Sequence, residues 1–353
     1  MKWVRYISLG LIFWGLISFQ GIKVDPPYVF PKMTWFPNMP IAKDNPVGIH
    51  GVELGRHLFY DPILSRDSML SCSSCHQQKA AFSDPGSRFS VGVEGIELDR
   101  NTMPLFNLAW YEAYFWDGRA SSLEEQALHP VRAHLEMNLS WEEAIERLNR
   151  HSLYPLMFEQ AFGSRDIDSF LVGKALAQFE RSLLSYNSKY DQVLRGEAYL
   201  TDDEYEGFVL MNEQNKGACL HCHNTDAHVL ATSGGFANNG LDMVSHPEEY
   251  PDWGLGKTSG KEEDIGRFRI PSLRNIALTA PYMHDGRFKS LEEVLRFYSQ
   301  EVNQTINLDS KMFMAHPRGV QLSDRQQQQI IAFLHTLTDS VFIHNPAHSS
   351  PFN

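Results

Sequence analysis

Apolar residues recur along this chain mostly at helical spacing, and the strict alternation that marks strands is scarce. From about Asp168 to Tyr186, Leu171, Leu176, Phe179 and Leu183 keep that spacing and predict one long amphipathic helix. Ser140-x-x-Glu143 and Thr201-x-x-Glu204 have the form of capping boxes, in which a hydroxyl accepts from the first turn and a carboxylate reaches back. The second box opens a helix through Phe208, Leu210 and Met211. Ser290-x-x-Glu293 opens another, whose Leu291, Val294, Leu295 and Tyr298 fall on one face. Ser323 caps a last helix with Ile330, Ile331, Phe333, Leu334 and Leu337 as its apolar side. Asn224 to Gly266 is rich in Gly, Pro and Asn and reads as a long loop. The pattern predicts a mainly α fold.

With 353 residues the chain is long enough for two domains, each with its own core. The polar stretch Asn187 to Gly196 lies midway and sets the expected boundary, giving domains over 40–190 and 191–345. The N-terminus differs from both. Lys2 and Arg5 precede an apolar run from Ile7 to Phe19, too short for a comfortable membrane span but suited to a secretory signal. The small-residue cleavage site is poor, so residues 1–21 are expected either to be removed or to stay as an N-terminal membrane tether. Either way the chain is exported, to the periplasm or cell envelope. A net charge of -12 leaves no basic stripe for phosphates and excludes nucleic acid as a partner.

The four cysteines carry the chemistry. They stand as Cys72-Ser73-Ser74-Cys75-His76 and Cys219-Leu220-His221-Cys222-His223, two copies of Cys-x-x-Cys-His. That spacing lets two thiols add to the two vinyl groups of one porphyrin while the next residue brings an imidazole to the iron. Two haem c groups are therefore expected, with His76 and His223 as axial ligands. A thioredoxin-like redox pair needs no histidine after the second cysteine, and a single zinc site built from both pairs is the other competing reading. His221 takes a variable position in its motif and reads as surface or packing. The loop from Asn224 is expected to wrap the second haem.

Around these motifs the chain resembles the bacterial dihaem cytochrome c peroxidases, the MauG branch included, from about Pro46 to Asp339. The resemblance rests on Glu53-Leu54-Gly55-Arg56, Phe115-Trp116-Asp117-Gly118-Arg119-Ala120, Leu123-Glu124-Glu125-Gln126-Ala127, Pro271-Ser272-Leu273-Arg274-Asn275 and Leu278-Thr279-Ala280-Pro281-Tyr282. It implies two cytochrome c-like domains whose haems face the interface. The first haem would bind hydrogen peroxide, with Glu136 as the catalytic carboxylate and Gln126 as the amide beside it. Trp116 matches the tryptophan between the haems. Asn101, with the main-chain oxygens of Thr279 and Pro281, matches a calcium site, and an oxygen-only set suits that ion. The implied electron donor is a small cytochrome c or cupredoxin, or residues of a protein substrate in the MauG manner. The oligomeric state is open, a homodimer included. A plain dihaem electron carrier is the competing class.

Two departures from the peroxidase pattern are informative. Peroxidases that need reductive activation carry a histidine in a Ser-x-Gly-His loop. Here the loop reads Ser90-Val91-Gly92-Val93, and valine cannot ligate iron, so the first haem is expected to keep an open position. His129 and His134 flank the active-site stretch as substitutes. At the second haem, Tyr298 stands where the peroxidases place methionine, as in MauG, with Met283, Met312 and Met314 as alternative ligands. Phenolate stabilises ferric iron whereas methionine raises the potential.

Overall fold

A computed structural model of the chain describes residues 25–213, 217, 219–224, 231–314 and 318–352, with only the backbone of Phe313 and Met314. The leader or tether expected over 1–21 lies outside the described residues, as does the side chain of Met314. The fold is mainly helical. In chain order the helices are α1 (Ile49–Tyr60), α2 (Cys72–Cys75), α3 (Leu123–Arg132), α4 (Trp141–Arg150), α5 (Tyr154–Phe162), α6 (Ser169–Ser182), α7 (Lys189–Leu194), α8 (Asp202–Asn212), α9 (Leu255–Ser259), α10 (Leu291–Arg296), α11 (Asp324–His335) and α12 (Ser340–Ile343). Two two-residue strands, β1 (Phe236–Ala237) and β2 (Phe268–Arg269), pair antiparallel. The expected caps are in place: Ser140, Thr201, Ser290 and Ser323 each accept from a backbone N–H in the first turn of their helix.

Each attachment motif is framed by a pair of crossed helices. In the first half α1 packs across α6, and a Cβ on Gly55 would run into the carbonyl oxygen of Ala175. In the second half α8 packs across α11, and a Cβ on Gly207 would run into the carbonyl of Gln329. Glycine at these two points lets the backbones touch. Around them lie two main apolar cores. One gathers Leu54, Leu58, Phe59, Phe158 and Phe179, the other Tyr190, Leu210, Ile330, Phe333 and Leu334. A fully buried side chain of this size contributes about 1.5–3 kcal/mol. Phe342, far along the chain, joins the first core, not the second.

The long helix expected to run to Tyr186 stops at Ser182. Leu183 leaves helical geometry (ψ 82°), and its carbonyl accepts from Asn107 N at 2.9 Å. The Asn107 amide then exchanges bonds with Ser185, at 2.9 Å from Ser185 N and 2.8 Å to its carbonyl. These long-range bonds outcompete helical propensity.

The second half repeats this arrangement. Asn275 N donates to Leu337 O at 3.0 Å, and the Asn275 side chain accepts from Asp339 N at 2.8 Å. Both asparagines take left-handed geometry and open a short turn, Leu108–Trp110 or Ile276–Leu278. A tyrosine hydroxyl then reaches back to the start of that turn, Tyr114 to Leu108 O and Tyr282 to Ile276 O, both at 3.0 Å. A bridge closes each segment, Tyr114 with Ala120 and Tyr282 with Phe288, before the serine-capped α3 or α10 begins.

Candidate functional site

The first attachment motif forms the single turn α2, with Ser71 and Ser74 in a reciprocal cap. Next to it, His76 Nδ1–H donates to the carbonyl of Phe82 at 2.8 Å, which fixes the tautomer and leaves Nε2 for the cavity. Burial holds this imidazole below its ordinary range, in the neutral form a metal binds. Cys72 and Cys75 are in no disulfide, and burial raises both thiols, to about 12 and about 11. His76 lines a cavity of about 500 Å³, and a smaller pocket of about 80 Å³ beside it brings in both cysteines.

Gln126 and Glu136 line the same space. Gln126 sits on α3, and its Oε1 is buried without a hydrogen-bond partner. Burial pushes the Glu136 carboxyl above the usual range, with Arg119 opposing. Val93 is buried, and its backbone N–H holds the Glu136 carbonyl at 2.9 Å, but its side chain does not line the cavity. Neither substitute histidine reaches the cavity: His129 packs edge-on to Phe115 at 5.4 Å, and His134 is exposed.

A second cavity, of about 240 Å³, is lined by Cys219, Cys222 and His223. His223 repeats the theme of His76. Its Nδ1–H donates to Pro271 O at 3.1 Å, and burial pulls the imidazole down to about 4. Burial pushes Cys219 up to about 12 and raises Cys222. His221 is exposed at the edge. Leu291, Val294, Leu295 and Tyr298 all face this cavity, so the helical stripe is a cavity wall. Past Arg296 the chain widens into a π turn over Phe297–Glu301 that holds Tyr298, a distortion frequent at functional sites. The Tyr298 hydroxyl accepts from Asn239 Nδ2 at 3.0 Å and is pushed up to about 12 by burial. Met283 and Met312 line the same cavity, and Met283 Sδ lies 3.6 Å from the same amide nitrogen.

One wall serves both cavities. Asn101, Thr102, Pro104, Trp116 and Arg269 face each of them. Trp116 Nε1 donates to Asn101 O at 2.8 Å, and its ring meets His284 edge-on at 6.5 Å. Asn101, Thr279 and Pro281 all line the second cavity, and the Asn101 amide nitrogen donates to Arg88 O at 3.0 Å. The two cysteine pairs line separate cavities, and among the described residues no three His, Cys, Asp or Glu side chains are grouped to hold a metal.

Sequence reasoning missed Arg269. Its buried guanidinium lies over the Tyr111 ring at 4.4 Å, bonds the Ala113 carbonyl and Met103 Sδ, both at 3.2 Å, and leaves Nε without a partner. A charged residue two positions before the Pro271 block was the available signal. The stretch expected as one long loop carries β1 and α9, and besides lining the second cavity with Asn239 and Leu241 it sends Lys257 and Thr258 of α9 to the first. Asp252 of that loop pins Arg100 through two bonds, at 2.7 and 2.8 Å.

Residues 50–199 match the family model described as di-haem cytochrome c peroxidase. The chain is 37% identical to the methylamine utilization protein MauG of Methylorubrum extorquens, over 85% of this chain and 81% of that one. It is 33% identical to the cytochrome c551 peroxidase of Nitrosomonas europaea, over 86% and 84%. The crystal structure of a MauG-like protein associated with microbial copper homeostasis superposes with a TM-score of 0.82 at 34% identity, covering 92% of this chain and all of that one.

Proposed function

This chain belongs to the di-haem cytochrome c peroxidase family, and on that premise we propose which of its residues carry the reaction. It is an oxidoreductase that reduces hydrogen peroxide with two haem groups. We assign the haems to Cys72, Cys75 and His76 and to Cys219, Cys222 and His223. The support is that each triad lines one cavity and each imidazole is oriented by a carbonyl. Bound there, haem supplies an iron that exchanges electrons and can bind peroxide. The finer architecture we propose is two cytochrome c-like domains with the haems facing the interface, divided near the expected boundary of 40–190 and 191–345, except that Tyr190 packs in the second core and the stretch around Phe342 returns to the first.

The reaction takes up two electrons and two protons and turns one peroxide into two waters. Glu136 takes the proton from one peroxide oxygen and returns it to the other, which leaves as water. Its raised proton affinity suits a group that must do both. Gln126 orients the peroxide, because its Oε1 offers an acceptor that no protein group uses. That unpartnered oxygen, in one cavity with His76 and Glu136, is the observation that carries this reading. Trp116, in the common wall, shortens the path of electrons between the halves.

Tyr298 is the proposed sixth ligand of the second haem, and Asn101 with the Thr279 and Pro281 carbonyl oxygens the proposed calcium site. The reductant is a redox protein, a cytochrome c or cupredoxin, or a protein substrate oxidised in the MauG manner. Export to the periplasm or cell envelope fits this chemistry, and among the described residues no helix is long and apolar enough to cross a membrane. A plain electron carrier has no use for the Gln126–Glu136 pair. The test is to mix the fully ferric holoprotein with peroxide, without prior reduction. An immediate change in the Soret band is expected, whereas a purely low-spin spectrum that stays inert until one haem is reduced would overturn the assignment of an open first site.

A further inference from the structure

Glu180 is a buried carboxylate that the chemistry above leaves unused. It lies on α6, is 5% exposed, lines the pocket that holds Cys72, Cys75 and His76, and has an Oε2 without a hydrogen-bond partner. Burying such a group unsatisfied is costly, and an apolar side chain would serve packing better.

The second half of the chain shows the apolar alternative. Leu183 O accepts from Asn107 N, and Leu337 O from Asn275 N, at matching ends of α6 and α11. The crossings agree, since Ala175 meets Gly55 as Gln329 meets Gly207. In that register Phe179 matches Phe333 and Glu180 matches Leu334, which lines the second cavity. The carboxylate is therefore peculiar to the cavity that also holds Gln126 and Glu136. Arg181 on its own helix is engaged by Glu124 of α3 at 2.6 and 3.0 Å, Tyr114 and Cys72 interact with the carboxylate, and Cys75, His76 and Glu136 line the same pocket. Burial dominates and pushes the Glu180 carboxyl up to about 8, so both of its forms are accessible near neutrality.

We propose that Glu180 is a positioning residue for charge: it holds a proton while the first haem is reduced and releases it when that haem is oxidised. Oxidation removes one electron from the site and adds one positive charge. Loss of one proton to solvent leaves a carboxylate that cancels it, and reduction reverses both. The proposal rests on haem attachment at Cys72 and Cys75.

A redox titration of the holoprotein at several pH values, following each haem by its own absorption bands, tests it. One proton per electron changes the first haem's equilibrium constant tenfold per pH unit, which for one electron is about 59 mV. Glu180→Gln keeps the shape without the proton, and Glu180→Leu copies Leu334. Both are expected to flatten the first haem's pH dependence and leave the second haem's as in the unmodified protein. A slope that survives Glu180→Gln in a fully loaded chain, or a flat slope in the unmodified protein, overturns the proposal alone. A chain lacking covalent haem at Cys72 and Cys75, recognised by its missing mass, overturns the attachment reading with it.

Discussion

Pro130 and Tyr298 occupy the same step of two matching segments: each follows its serine cap, Ser122 or Ser290, at the same distance, and each faces its own cavity. Pro130 offers that cavity a ring with no ligating atom, and Tyr298 offers a phenol. The proposed difference between an open first site and a second one ligated by Tyr298 falls at this repeated position.

Tyr298→Phe should therefore keep the packing on Leu291, Val294 and Leu295 yet change the second haem. Its spectrum and reduction potential are expected to shift, because a phenolate favours ferric iron. Little stability should be lost, since only a hydroxyl and its bond from Asn239 are removed. An unchanged spectrum with a weak sulfur-to-iron charge-transfer band would assign the position to Met283, Met312 or Met314.

Glu136→Gln should retain both haems and lose peroxide turnover. General acid–base assistance is worth about 10²–10⁴-fold, and the loss should fall on the chemical step. Stopped-flow mixing with peroxide measures it, and turnover at the unmodified rate would make Glu136 a bystander.

Two covalent haems per chain should survive denaturation and appear in the intact mass. Cys72→Ala and Cys219→Ala should each impair one attachment and spare the other, because the two cavities hold separate thiol pairs. Retention of tetrahedral zinc in place of haem would contradict this.

His348 gives the C-terminal segment an acid sensitivity. Burial pulls its imidazole down to about 4 from an ordinary value of about 6.5. The unfolded chain binds a proton below that ordinary value and the folded chain does not until about pH 4. Stability is therefore lost as pH falls through this window, by up to about 3 kcal/mol in all. Thermal unfolding midpoints from pH 7 to 4 should flatten in His348→Asn, and an unaltered pH profile would remove His348 from the account.

Much of this was legible from sequence because it is local. Caps such as Ser140 and Ser323 need only four residues, and the attachment motifs need five. The rest depends on distant partners. Asn107 ends α6 early through bonds to Leu183 and Ser185, which no window around Tyr186 contains. Periodicity put Tyr298 on an apolar face without distinguishing a core from a cavity wall. Glu180 was hidden inside a helical stripe, where a charged residue reads as solvated. The match between Asn107–Arg119 and Asn275–Arg287 could have been found by comparing the chain with itself, and it would have pointed to Pro130 opposite Tyr298.

The return of Phe342 to the first core has a consequence for the order of assembly. Its ring lies 5.7 Å from Phe82 and 6.0 Å from Phe106, and Phe82 supplies the carbonyl that orients His76. Synthesis runs from the N-terminus, so Cys72 and Cys75 emerge long before this ring does. During that interval Phe82 lacks the ring it packs against, and the carbonyl that orients His76 lacks that support. The stretch around Phe342 then acts as a buttress set behind a motif made long before it.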